Sequence, residues 1–477
     1  MTVLSTTNID RMEVFRTLAA EEEYAAAAAE LARVVHLVDT WNQSLDDALR
    51  RRAKEVPSDV FSDFFDRLGY TIGAGQTLDD FLLSEQDAVI QNYITVYEGA
   101  LANLEVMKDL YMSMILSMTF ALVFAIVLPI LTGDNPTLTV AAVIVLFMLV
   151  QLGFYVVIRA MAPHDPVWFH SEEGAPSDLR LWSSFAIGVF GTTALVVFVG
   201  AGLFGVGPGL RGLLFFLEDI PLAMYLCVPI SPMAITGVML RFEERNIEER
   251  DKEFPSFIRA LGAAESAKQS TTGDVLATLH QKDFGALTAT IVRLYRRLNI
   301  RISSEQAWYT FATDTRSYLI QKFSDMYLEG RSMGGRPKLL GELISQNMNT
   351  VMQLREQRRQ ATVTMIGLLY GITSASAFAF FIGLQVVNIL ADLSQQFNIT
   401  NAGGVGKVIY AGVYDIALIE FLLLLVILFN AVLSSVMIRT IDGGNKANAY
   451  LHFVLMTWLG SGVAIFTKHL VSAILTI

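Results

Sequence analysis

Long apolar runs interrupted by two polar, amphipathic blocks set the plan of this 477-residue chain. Charge-free stretches at 110–133, 135–158, 181–210, 220–240, 360–391 and 447–467 each supply the roughly 20 residues a helix needs to cross about 30 Å of hydrocarbon. A seventh stretch, 409–437, is apolar apart from Asp415 and Glu420. The first two are joined by Thr132-Gly-Asp-Asn-Pro136, a turn sequence that predicts a transmembrane hairpin. Pro221, Pro229 and Pro232 predict a kink within 220–240. Between the runs, apolar positions recur at three- and four-residue spacing, as in helices packed on one another, and no comparable β-alternation is present. The fold class is therefore all-α: a polytopic membrane protein with seven predicted transmembrane helices and two cytoplasmic helical domains. The expected division is 1–109, cytoplasmic domain 1; 110–240, four transmembrane helices; 241–359, cytoplasmic domain 2; and 360–477, three transmembrane helices.

The two polar blocks read as an internal duplication. A shift of 230 residues aligns Phe61, Phe64, Phe65, Arg67, Leu68 and Ile72 with Ile291, Leu294, Tyr295, Arg297, Leu298 and Ile302. The same shift pairs Phe81 with Phe311, Tyr93 with Phe323 and Tyr97 with Tyr327.

Composition agrees with the membrane reading: 53% of residues are hydrophobic and 17% charged, against about 25% charged in soluble domains. The amino-terminal stretch lacks a basic region followed by an apolar core, so no secretory signal is expected there. A single cysteine, Cys227, excludes an intrachain disulfide and a thiolate metal cluster. Residues 1–109 hold 9 basic side chains and 241–359 hold 19, whereas the short loops at 132–137, 207–212 and 395–408 hold at most one each. The positive-inside rule then places both large blocks in the cytoplasm and, after seven crossings, the C-terminus outside. Lys468 and His469 fit that end least well. The blocks differ electrically: 9 basic against 20 acidic residues in the first gives −11, and 19 against 15 in the second gives +4.

Ten basic residues of the second block cluster: Arg293, Arg296, Arg297 and Arg301; Arg331, Arg336 and Lys338; and the membrane-proximal Arg355, Arg358 and Arg359. Nine are arginines, which suits bidentate pairing with carboxylates of a partner. Positive-inside bias and attraction to anionic membrane lipid are the alternative. Gly334-Gly335 predicts a turn presenting Arg336 and Lys338. No nucleic-acid recognition motif accompanies the charge, so nucleic acid is not an expected partner.

Signals of catalysis fail. Gly404-Val-Gly-Lys407 has Asn401 where a phosphate loop needs its first glycine and Val408 where it needs Ser or Thr. Asp283-Phe-Gly285 lacks the other kinase motifs. His164, Asp165, His170, Glu172 and Glu173 read as a solvated loop rather than a metal site. No catalytic residue, cofactor or metal is expected. Glu218, Asp219 and Asp392 fall at outer interfaces, and Asn398-Ile-Thr400 is a glycosylation-type sequence in an outside loop. Asp415 and Glu420, the intramembrane acidic pair, are read as pairing with polar groups on a neighbouring helix, with an ion path as the alternative.

Glu253-Phe-Pro-Ser-Phe-Ile-Arg-Ala-Leu-Gly262, Lys282-Asp-Phe-Gly-Ala-Leu-Thr288, Leu294-Tyr-Arg-Arg-Leu298, Met333-Gly-Gly-Arg-Pro337 and Leu354-Arg-Glu-Gln-Arg358 resemble the archaellum platform family. That family is related to the inner-membrane platforms of type II secretion and type IV pili. The detailed resemblance covers about 250–395, and the first block agrees through the repeat and layout. It implies a non-enzymatic platform that docks a hexameric cytoplasmic ATPase and relays its movement to archaellin or pilin-like subunits, with filament rotation in the archaellum. The matching positions place ATPase contact at Arg296, Arg297, Arg336 and Lys338, with Gly334 and Gly335 shaping the loop. A homodimer is expected. An archaeal pilus platform is the near alternative. A transporter is more distant, since transporters repeat their membrane helices rather than their cytoplasmic domains. An intramembrane aspartyl peptidase needs carboxylates on two helices, and Asp415 and Glu420 share one.

Overall fold

The computed structural model describes residues 1–5, 7, 10–21, 24–163, 165–171, 174, 178–203, 205, 209–214, 220–268, 272–396 and 415–475. In chain order the helices are α1 (Thr2–Ser5), α2 (Arg11–Ala20), α3 (Ala25–Trp41), α4 (Leu45–Ala53), α5 (Asp59–Gly73), α6 (Leu78–Val127), α7 (Pro129–Thr132) and α8 (Pro136–Met161). Next come α9 (Asp178–Leu203), α10 (Gly209–Leu213), α11 (Leu222–Ile230), α12 (Met233–Lys268), α13 (Thr272–Leu279) and α14 (Thr288–Asn299). The last are α15 (Ser304–Thr315), α16 (Tyr318–Ser332), α17 (Pro337–Gln396), α18 (Ile416–Asp442) and α19 (Ala449–Leu475). No β-strand occurs among the described residues.

Two compact units emerge. Unit 1 comprises 1–98, 169–173 and 246–354, and unit 2 comprises 99–168, 174–245 and 355–477. Unit 1 holds both polar blocks, each with its own core. The first core is built on Phe15, Leu31, Leu49, Phe65 and Leu68, and the second on Phe257, Leu294, Trp308, Phe311 and Tyr327.

The helix ends correct the repeat register. Under the 230-residue shift the continuous α6 would face α15 and α16, which are separated at Arg316. The starts of α4, α5 and α6 at 45, 59 and 78 match those of α15, α16 and α17 at 304, 318 and 337, each 259 residues on. Ser44 and Ser303 each cap a helix through the side-chain oxygen, and Ser58 and Ser317 do the same. Left-handed backbone recurs at Asn42 (φ 49°) and Arg301 (φ 62°), and at Gly75 (φ 86°) and Gly334 (φ 84°). Buried Ala48 and Leu49 correspond to buried Ala307 and Trp308. The two shifts differ by 29 residues, close to eight whole helical turns of 3.6 residues. That slip keeps every apolar face in phase, which is why periodicity alone favoured the wrong register.

Unit 2 carries the apolar helices. Among the described residues six helices are long and apolar enough to cross a membrane, and seven when α11 and α12 count as one bent span. The bend, 44°, falls between Ile230 and Met233, where Pro229 and Pro232 remove backbone donors. Polar side chains tie the bundle internally. Gln151 on α8 donates to Asn430 on α18 at 2.6 Å, Asn430 donates to Thr373 on α17 at 2.9 Å, and Thr119 meets Ser376 at 2.9 Å.

Candidate docking surface

In the second copy, α14 turns Thr290, Ile291 and Leu294 into the core and carries Arg293, Arg296 and Arg297 on its other side. The arginines do not share one fate. Arg293 and Arg297 donate to one carboxylate, Asp314 on α15, at 2.9 and 2.8 Å, and the Asp314 side chain is 4% exposed. Two cations around one nearly buried carboxylate fix α14 against α15. The side chains of Arg296 and Arg301 are exposed and make no hydrogen bond or ion pair among the described residues.

Arg331 also works internally. Its Nε donates to Glu265 at 2.8 Å and a guanidinium NH donates to the Gly335 carbonyl at 3.0 Å. Glu265 is fully buried and also accepts from the Tyr327 hydroxyl at 2.9 Å; burial, and then the nearby Glu265 charge, pushes the Tyr327 phenol far up. This network closes the turn after α16. Gly334 supplies a positive φ with open space around it. At Gly335 an added Cβ would lie 2.6 Å from the Gly330 carbonyl oxygen and 2.9 Å from a Leu340 methyl, so close backbone approach requires glycine there. Arg336 and Lys338 follow directly, exposed and without a charged partner among the described residues. Of nine residues assigned to docking, the exposed, unpaired cations are thus Arg296, Arg301, Arg336 and Lys338. Arg293, Arg297 and Arg331 are committed to holding the fold.

The membrane-proximal arginines divide similarly, which corrects their reading as one basic surface. Arg355 makes a bidentate pair with Asp165, both bonds 2.8 Å, and donates to the Pro166 carbonyl at 2.9 Å. Arg358 is 3% exposed and donates to the carbonyls of Thr440 and Ile441 at the end of α18. Only Arg359 is exposed.

In the apolar helices, Asp415 caps α18 by accepting from the Leu418 amide at 3.1 Å. Glu420 pairs with Lys468 on α19 at 3.3 Å, so the lysine that sat awkwardly near the C-terminus meets a carboxylate. Asp283 accepts from the Gly285 amide and the Thr288 hydroxyl, capping the chain into α14. His164, Glu172, Glu173, Glu218, Asp219, Asn398–Thr400 and Gly404–Lys407 lie outside the described residues.

Sequence reading missed a buried carboxylate, Glu244, on α12. It accepts from Trp168 at 3.1 Å, Arg439 at 2.6 Å, the Asn445 amide at 2.8 Å and Asn448 at 2.7 Å. Set in Arg-Phe-Glu-Glu-Arg245, it looks like one charge of a solvated face. It missed too a group around Asp325 on α16. Burial lifts the Asp325 carboxyl to about 6, Lys322 opposes this and Glu21 reinforces it. Burial also raises Glu329 and lowers the Met1 amine to about 6. An apolar cavity of about 370 Å³ nearby is lined by Phe61, Phe64, Leu82, Ile90 and Met326, and none of the clustered basic residues reaches it.

Residues 1–127 match the family model described as type II secretion system protein F. This match falls on the first copy and the helix leaving it, where the sequence motifs had pointed to the second. Flagella accessory protein J of Methanocaldococcus jannaschii is 33% identical over 475 residues, covering 99% of this chain and 83% of its own. Flagella accessory protein J of Methanococcus voltae is 32% identical over 476 residues, covering 99% and 84%. No solved structure matches. Full-length identity at this level, on a duplicated helical unit joined to six or seven membrane-length helices, places the chain in the flagella accessory protein J family, the multi-pass membrane platform of the archaellum.

Proposed function

We propose that this platform docks a hexameric cytoplasmic ATPase through the exposed cations of its second copy and relays the ATPase's movement to archaellin or pilin-like subunits. It performs no catalysis of its own. The observation carrying this reading is the contrast within one cluster: Arg296, Arg301, Arg336 and Lys338 stand exposed without internal partners, while neighbouring arginines are used by the fold. Four solvated cations on a framework fixed by Asp314 and Glu265 suit a partner rich in carboxylates. Both polar blocks face the cytoplasm in this reading, the C-terminus lies outside, and the platform acts as a homodimer. The first copy, with its net −11, takes no part in the same contact.

Binding of the host's archaellum ATPase to the full chain in nanodiscs tests the reading. Wild-type binding should weaken along a salt series, and Arg296→Glu/Arg336→Glu/Lys338→Glu should abolish it. Unchanged binding by that variant would remove the docking role of these residues.

A further inference from the structure

The most exposed large apolar side chain of the second copy sits inside the cluster just described. Ile300, the residue that follows α14 as its C-cap, is 70% exposed. A lone exposed aliphatic is ordinary. This one recurs: under the 259-residue register Ile300 corresponds to Trp41, which is 65% exposed. Each immediately precedes the left-handed residue that turns the chain, Arg301 or Asn42. The copies have diverged in charge and in most core residues, yet both hold a large apolar side chain out to solvent at this point.

The turn does not require it. The Ile302 amide donates to the Arg297 carbonyl at 3.2 Å, and Ile302 packs on the core, so closure depends on Ile302 rather than Ile300. Nor does closure require Arg301, because glycine adopts a φ of 62° without the strain an arginine bears. The local structure thus carries two choices it does not need, an exposed isoleucine and an arginine in left-handed backbone. Arg296 lies one helical turn before Ile300, with its carbonyl accepting from the Ile300 amide at 3.1 Å.

We propose that Ile300 is the apolar anchor of the docking surface, received by an apolar socket with a carboxylate rim on the ATPase while Arg296 and Arg301 meet the rim. This rests on the docking reading above and adds the contact that holds the complex once charge has brought it together. Interfaces of this kind concentrate affinity in a few desolvated side chains, and the charged rim governs the rate of encounter.

The test uses the full chain in nanodiscs and purified archaellum ATPase, with association and dissociation followed separately across a salt series. Ile300→Ser should weaken binding roughly ten- to hundred-fold, as expected for one aliphatic side chain left unburied, through faster dissociation and with the wild-type salt dependence. Ile300→Met, which keeps the apolar bulk, should bind nearly as wild type. Arg296→Gln/Arg301→Gln should slow association and flatten the salt dependence. Trp41→Ser should leave ATPase binding unchanged. Wild-type affinity in Ile300→Ser, or equal losses in the Ser and Met variants, would overturn the anchor, and the docking reading would stand if the arginine variant still weakened. Absence of binding by the wild-type chain would overturn both.

Discussion

Replacing Arg331 with methionine removes the one cation from a buried carboxylate. Glu265 has a side chain with no exposure, and its only other donor among the described residues is the Tyr327 hydroxyl at 2.9 Å. Breaking a buried pair by deleting one partner costs about 3–5 kcal/mol. Arg331 is 30% exposed, so water reaches the vacated side and the lower end, about 3 kcal/mol, applies. The variant also loses the bond to the Gly335 carbonyl, so the damage falls on the turn that presents Arg336 and Lys338. Adding Glu265→Gln removes the stranded charge and keeps an acceptor for Tyr327, leaving a cost of about 1 kcal/mol for the lost hydrogen bonds. The second substitution thus recovers about 2 kcal/mol of what the first loses. Hydrogen exchange over 327–340 in the full chain reads it, because the Gly335 amide donates to Gly330 at 2.8 Å and the Met333 amide to Glu329 at 3.2 Å. Exchange should speed roughly hundred-fold in Arg331→Met and recover most of that in the double variant. Exchange of the single variant within a few-fold of wild type, or a double variant no slower than the single, would refute the reasoning.

Three further outcomes follow from the same geometry. Gly334→Ala should cost about 1 kcal/mol, for backbone strain alone, and Gly335→Ala about 1–3 kcal/mol because its methyl meets the Gly330 carbonyl; limited proteolysis of the 330–338 turn ranks them. Asp325 rises from 3.8 to about 6 on folding, so the proton it keeps favours the folded state below about pH 4, and that advantage is lost as pH rises through about 6. Asp325→Asn should therefore stabilise the chain by about 1–2 kcal/mol above that window, partial exposure discounted, and change little below it, as thermal unfolding against pH would show. Glu244→Ala should leave Arg439, whose side chain is 2% exposed, with Asp442 as its remaining carboxylate and take the acceptor from the Asn445 amide and Asn448, at a cost of about 3 kcal/mol visible as a lower aggregation temperature in detergent; a shift no larger than that of a surface alanine variant would contradict the role assigned to Glu244.

How much of this was legible in the sequence depends on the range of the interaction. The apolar segments and the bend at Pro229 and Pro232 are local, and both appear where the sequence predicts them. The turn at Gly334-Gly335 is local too. The repeat was visible, but its register was not, because a 29-residue slip preserves helical phase and only capping serines and left-handed residues break the tie. The basic clusters divided into structural and solvated members through carboxylates distant in sequence: Asp314 for Arg293 and Arg297, Glu265 for Arg331, and Asp165 for Arg355. No local pattern reveals such pairings. Glu244 was hidden for the same reason, since its donors lie up to 204 positions away.

The central claim, that the solvated cations of the second copy meet the ATPase, is tested most directly by site-specific photocrosslinking in intact cells. A photoreactive residue would replace Arg336, and a control would replace Tyr70, which is 60% exposed on the acidic first copy. The account predicts a crosslink to the archaellum ATPase from position 336 and none from position 70. A crosslink from position 70 alone, or none to the ATPase from position 336 in cells that build filaments, would contradict it.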